Sequence, residues 1–193
     1  DPLWSRGLGD VYKRQIEDDE DVSIYPNYYL EYDTKKVDST LRIFKNRKDV
    51  DKICLMDGAL PATDSEIAID RMYADNNDLQ IGDTLTSKDK AFTISGLVAL
   101  SDYSALFSSA SDMMFDAVKF GVAIVTDDAF DAFGTAHLHY RYSWIYDNPP
   151  KDDNAAKEQS DDFLEALSAD AAASMNAVTN YIPQYTNQSL IHI

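Results

Sequence analysis

The sequence predicts an α+β domain of α/β-like character, a mixed β-sheet with short helices that ends in a helical segment. Three observations carry this. Short alternating apolar runs are punctuated by Asn, Asp, Gly and Pro. Between them lie brief helix-period stretches. After Pro149-Pro150, apolar residues recur at helical spacing. At 193 residues the chain has the length of one domain or of two small subdomains, with 45% hydrophobic and 11% aromatic residues to build a core.

Element by element, Glu17-Asp18-Asp19-Glu20-Asp21 reads as a solvated helix end or loop before a short strand, Val22-Ser23-Ile24-Tyr25. Tyr28, Leu30 and Tyr32 alternate with Tyr29, Glu31 and Asp33, and Leu41 and Ile43 with Arg42 and Phe44, so both stretches read as half-buried strands. Glu66 to Asp70 is a strand, followed by a helix over Arg71 to Asn76 that the Asn76-Asn77-Asp78 cluster ends. Gly82-Asp83 is turn chemistry before Thr84-Leu85-Thr86. Phe92, Ile94, Val98 and Leu100 share one face of a strand interrupted at Gly96, where a bulge or a close backbone approach is expected.

Phe120 to Thr126 is continuously apolar, as in a strand covered on both faces, and Asp127-Asp128 cap a short helix that Gly134 stops. Tyr140, Tyr142, Trp144 and Tyr146 alternate with His139, Arg141, Ser143 and Ile145, giving one strand face that is wholly aromatic. Asp153 or Asn154 is expected to cap a helix whose stripe is Phe163, Leu164, Leu167 and Ala171. A second helical stretch carries Met175, Val178 and Ile182.

Charge narrows the function classes. Thirty-four acidic against 17 basic residues give a formal net charge of −17, which opposes binding to nucleic-acid backbones and to anionic membrane surfaces. Cys54 is the only cysteine, so an intrachain disulfide is impossible. Within Ile53-Cys54-Leu55-Met56 it is expected to be a small buried hydrophobe. No run approaches the roughly 20 apolar residues of a membrane-spanning helix.

Catalytic and cofactor motifs are missing: no phosphate-cradling loop, Gly-x-Ser-x-Gly elbow or His-Glu-x-x-His pair occurs, so no catalytic, cofactor or metal residues are assigned. His137 and His139 would share a strand face, and a polar strand edge is preferred to a two-His metal pair. Asp75-Asn76-Asn77-Asp78 lacks the glycine and final acid of a calcium loop. The face of Tyr140, Tyr142 and Trp144 is a candidate contact surface for a sugar or peptide, with core packing the preferred reading. A carboxylate acid/base enzyme is a third possibility for which 34 acids offer no way to choose a pair.

Two stretches at the ends stand apart. Leu8-Gly9-Asp10-Val11-Tyr12-Lys13-Arg14-Gln15 resembles a translated sequencing-adapter peptide, and Ser189-Leu190-Ile191-His192-Ile193 another frame of the same adapter. The expected organisation is therefore foreign ends at residues 1–15 and 189–193 around a domain fragment over 16–188, continued at both ends in the native protein.

The segment Asp57-Gly58-Ala59-Leu60-Pro61-Ala62-Thr63-Asp64-Ser65-Glu66-Ile67-Ala68-Ile69-Asp70, with Ile81-Gly82-Asp83-Thr84-Leu85 and then Gly96, resembles the core of MacB-like periplasmic domains. Ser95 to Phe107, Met114-Phe115-Asp116 and Phe120 to Ala123 are similar to the version in Gram-positive FtsX-like permeases. The resemblance implies a noncatalytic extracytoplasmic module of an ABC transporter permease. It further implies a place outside the cell membrane and a cytosolic ABC ATPase partner reached through transmembrane helices that this sequence lacks. Its substrate or partner would be an extracytoplasmic protein or peptide. Gly58, Pro61, Glu66, Asp70, Gly82, Asp83 and Gly96 carry the match, and each has a structural rather than a catalytic reason to be there. The runner-up is a secreted ligand-binding or adhesion module using the aromatic strand.

Overall fold

A computed structural model describes residues 10–35, 37–103 and 118–173. It has the mixed sheets and short helices expected of an α+β protein. The chain divides into two compact units, one formed by Tyr28–His139 and the other by the segments before and after it, 1–27 and 140–193. The expected second helical stretch from Met175, the adapter-like residues 189–193 and the Met114-Phe115-Asp116 match lie outside the described residues.

The flanking unit contains α1 (Asp10–Glu20), β1 (Val22–Pro26), β10 (Tyr142–Tyr146) and α4 (Asp153–Ala173). α1 runs without a break across the boundary anticipated at residues 15 and 16, and Ile16 is buried. β1 and β10 pair antiparallel, with Val22 opposite Tyr146, Ile24 opposite Trp144 and Pro26 opposite Tyr142. A two-stranded ribbon is marginal by itself and needs an apolar cover. Phe163 of α4 provides one, its ring centroid 5.1 Å from Trp144 and 6.2 Å from Tyr146. The Tyr146 hydroxyl meets Ser160 Oγ at 3.0 Å, so the polar end of that aromatic is also satisfied. α4 is capped by Asp152, whose carboxylate accepts from Ala155 N–H at 2.9 Å, rather than by Asp153 or Asn154.

The central unit carries, in chain order, β2 (Tyr29–Thr34), β3 (Ser39–Lys45), β4 (Ile53–Gly58), β5 (Glu66–Asp70), α2 (Arg71–Asn76), β6 (Thr84–Ser87), β7 (Lys90–Leu100), β8 (Phe120–Val125), α3 (Asp127–Asp131) and β9 (Leu138–His139). The strand order is β3-β8-β5-β7-β6-β2-β9, with β4 attached to β7. β2 also pairs with β3, so six of these strands close into a ring, which the β6–β2 contact completes through the single pair Ser87 and Thr34. β3/β8 and β5/β7 are parallel and the remaining pairs antiparallel.

One expectation is corrected. β3 is not half-buried: Arg42 and Phe44 are buried as well as Leu41 and Ile43, because Tyr103 covers the face they share, its hydroxyl accepting from Arg42 and its ring centroid 5.8 Å from that of Phe44. β8 is buried at all six positions, as its unbroken apolar run predicts. Each large side chain buried in this way contributes about 1.5–3 kcal/mol relative to exposure. α3 starts one residue earlier than expected, since Thr126 Oγ1 accepts from Ala129 N–H and leaves Asp127 and Asp128 in the first turn.

β7 organises the unit. Along its eleven residues it pairs with β6 at one end and β4 at the other, and with β5 along its middle. Its registers with β4 and β5 both shift near Gly96, the bulge that the glycine interruption predicts. Gly58 and Gly96 face each other there. A Cβ on Gly96 would run into the Ala59 carbonyl, and one on Gly58, at φ +73°, into the Ser95 carbonyl. Gly82 differs in having open space around it, with only its φ of +93° favouring glycine.

This contrast is testable by urea denaturation. Gly96→Ala is expected to cost about 1–3 kcal/mol, since backbone rather than a movable side chain obstructs the methyl group, and Gly82→Ala about 1 kcal/mol from its positive φ alone. Equal losses at the two positions would contradict the crossing described here.

Candidate functional site

The residues singled out by sequence form one connected stretch of the central unit. After the Gly58–Gly96 crossing the chain enters the loop containing Pro61, where the Glu66 carboxylate accepts from Ala62 N–H (2.7 Å) and Thr63 N–H (3.0 Å). These two bonds hold the Glu66 carboxyl below the usual carboxylate range. Ala59 N–H donates to Ser95 carbonyl at 2.9 Å, and Ser95 Oγ to the Ala59 carbonyl at 3.0 Å, so the loop is tied to β7 from both sides.

Glu66 and Asp70 are the first and last residues of β5, and Asp70 caps α2 by accepting from Tyr73 N–H at 3.0 Å. Downstream, Asp83 accepts from Gln80 N–H (3.0 Å), while Gly82 N–H and Ile94 N–H bond the Ile94 and Asp83 carbonyls at 2.8 and 2.9 Å. Thus Glu66, Asp70 and Asp83 each spend their carboxylates on backbone N–H groups. The arrangement fixes loops and presents no pair of acids poised for proton transfer.

A second cluster lies on β2 and β3. Arg42, largely buried, gives two nitrogens to Glu31 Oε1 (2.9 and 2.6 Å) and one to the Tyr103 hydroxyl (2.7 Å), with its guanidinium 4.3 Å from the Tyr29 ring centroid and 5.0 Å from that of Phe120. Burial works against the charge, but Tyr103 and Glu31 outweigh it and raise the Arg42 pKa. Beside Tyr103, Arg47 makes a bidentate pair with Asp102, both bonds 2.8 Å. These contacts clamp the short 3-10 turn Ser101–Tyr103 to the sheet. Nothing in the local pattern signals it: one arginine on an apolar strand looks the same whether it points to water or into a cage.

Other candidates separate. His139 stacks on Tyr29 (4.7 Å, 7° between planes) and lies 3.8 Å from Glu31, whereas His137 packs against Tyr32. Tyr29 and Tyr32 are three residues apart on β2 and so on opposite faces, and the two imidazoles do not converge. Among the described residues no group of three His, Cys, Asp or Glu side chains could hold a metal ion. Asp75 to Asp78 end α2, with Asn77 as its C-cap.

In the flanking unit Tyr142 and Trp144 are 3% and 5% exposed, Trp144 lying against Phe163 of α4, and Tyr140 precedes the strand. Cys54 corrects an expectation. It is exposed, because β4 hangs from β7 by one edge and five of its six residues stand in solvent.

No protein-family model matches the chain. No curated protein matches it either. Among solved structures, it is similar to the periplasmic region of MacB from Actinobacillus actinomycetemcomitans, at 10% identity, a TM-score of 0.40, and coverage of 87% of this chain and 82% of that one. A likeness at that score establishes neither a shared fold nor a shared function.

Asp70 offers a pH test of this geometry. Burial lifts its carboxyl above the ordinary range despite the opposing bond from Tyr73 N–H. The native state therefore holds this proton to higher pH than the unfolded chain. The contribution of Asp70 to stability is greatest in acid and declines as pH rises from the ordinary carboxylate range through the raised native value. Asp70→Asn keeps a cap of similar quality and removes the titration. Between about pH 3 and pH 7 the stability of the variant relative to the parent should rise in denaturant titrations. A difference that stays flat, or falls, would contradict it.

Proposed function

We propose that this chain is a noncatalytic extracytoplasmic module of an ABC transporter permease of the FtsX/MacB-like type, which couples motion driven by a cytosolic ATPase to handling of a substrate or partner outside the membrane. The observation that carries the reading is the stretch Asp57 to Leu100. The residues by which it resembles MacB-like periplasmic cores are those that build its backbone: the Gly58–Gly96 crossing, the Glu66-closed loop, the Asp70 cap and the Asp83 turn. A module that is moved by its neighbours needs loops fixed to its sheet more than it needs a reactive cleft. On this reading residues 16–188 are the native part of the chain, and its ATPase partner engages membrane helices that flank it.

The binding-module reading loses its support in the geometry, since Tyr142 and Trp144 are buried and Trp144 packs against Phe163 of α4. An acid/base enzyme is not favoured either, because the best-placed carboxylates already hold backbone N–H groups. Among the described residues no helix is long and apolar enough to cross a membrane, so membrane attachment belongs to the flanking helices the reading requires.

Cys54 supplies the test, being the chain's only cysteine and exposed. In intact cells expressing the full-length parent, a membrane-impermeant maleimide should label Cys54, and Cys54→Ser should abolish the signal from this domain. Labelling that appears only after lysis would place the domain on the cytosolic side and overturn the proposal.

A further inference from the structure

β4 is an edge strand left open in a way that edge strands usually are not. Among the described residues it pairs only with β7, and no backbone bond joins its outer side to another segment. Leu55 and Met56 are 43% and 47% exposed, and Cys54 is exposed beside them. Met56 is skipped by the ladder at the register shift between Leu55 and Asp57. Folded proteins protect such edges with lysine, proline or a covering element, because unpaired N–H and C=O groups recruit another strand. Ile53 to Gly58 contains neither lysine nor proline; Cys54, Leu55 and Met56 stand exposed in succession, and Asp57 is its one charge.

Charge identifies the occupant. The exposed acids next to β4 are Asp57 on the strand itself and Asp64 in the loop that follows, with Lys52 just before the strand; Glu66 and Asp70 lie on β5, across β7. A second copy would bring the same acidic loop, on a molecule of net charge −17, against itself. An anionic membrane surface is disfavoured for the same reason. We infer that β4 is a docking edge for an extended, apolar and cationic segment of another protein, which adds to the sheet as a strand beside Cys54-Leu55-Met56. Main-chain hydrogen bonds would supply affinity, Leu55 and Met56 an apolar footing, and the acidic loop the preference for positive charge. The inference concerns this edge alone and holds whether or not the chain belongs to a transporter.

Cys54 allows a direct reading. The chain, labelled there with an environment-sensitive fluorophore, is titrated with three synthetic decapeptides: alternating Val and Lys, the same composition interrupted by a central proline, and alternating Val and Glu. The Val-Lys peptide should shift the emission saturably and bind at least about tenfold more tightly than either of the others, a difference of about 1.4 kcal/mol. Met56→Lys should lose that preference, whereas Val118→Lys, at another exposed apolar position of the same unit, should keep it. Circular dichroism confirms that both variants fold, and the three peptides retain the test on the parent chain if one does not. Equal response to the Lys and proline-interrupted peptides would reduce the effect to bulk charge. No response would refute the docking edge. A concentration-dependent dimer that Met56→Lys abolishes would assign the edge to a second copy instead.

Discussion

The central unit depends on how closely two backbones approach at Gly58 and Gly96. Hydrogen atoms alone occupy the space between β4 and β7 at that point, and both registers that meet on β7 shift there. The chain leaves this approach through Ala59, bonded twice to Ser95 of β7, into the loop that Glu66 closes; β5 then ends at Asp70, which caps α2. None of these carboxylates gains its place by long-range electrostatics. Each is a local acceptor for N–H groups that a turn or helix start would otherwise leave unsatisfied.

The same local matching extends to charge. Here the buried charges are matched: Arg42 with Glu31 and Tyr103, Arg47 with Asp102. Buried pairs of this kind contribute little net stability against an apolar alternative, yet removing one partner is expensive, so they hold a particular arrangement in place. What they hold is the Ser101–Tyr103 turn, the last described residues before the chain resumes at Val118. Among the described residues β4 pairs with β7 alone, and five of its six residues are exposed.

Much of this was legible in the sequence wherever the signal was local. β5 and α2 begin and end where Glu66, Asp70 and the Asn-rich cluster put them, and the unbroken apolar run of Phe120 to Val125 announced a strand buried on both faces. Gly96 foretold a close backbone approach, though not its partner. What stayed hidden was pairing at a distance. Burial of Arg42 and Phe44 follows from Tyr103 lying over their face of β3, and exposure of Cys54 from β4 pairing, among the described residues, with β7 alone. Alternation reports how a strand would be half-buried, and is silent on how many neighbours cover it. The aromatic strand was visible from Tyr142 to Tyr146, as was its packing under the C-terminal helix, where Phe163 meets Trp144, but its pairing with Val22–Pro26 was not.

The central claim is that the crossing at Gly58 and Gly96 belongs to the cooperative core and is not a surface loop resting on it. Native-state hydrogen exchange at Ala59, whose N–H bonds the Ser95 carbonyl, measures this most directly. The account predicts that the Ala59 amide exchanges only through global unfolding, with the same free energy and denaturant dependence as Ile94 at the centre of β7. Exchange of Ala59 through a low-energy local opening, with Ile94 still protected, would contradict it.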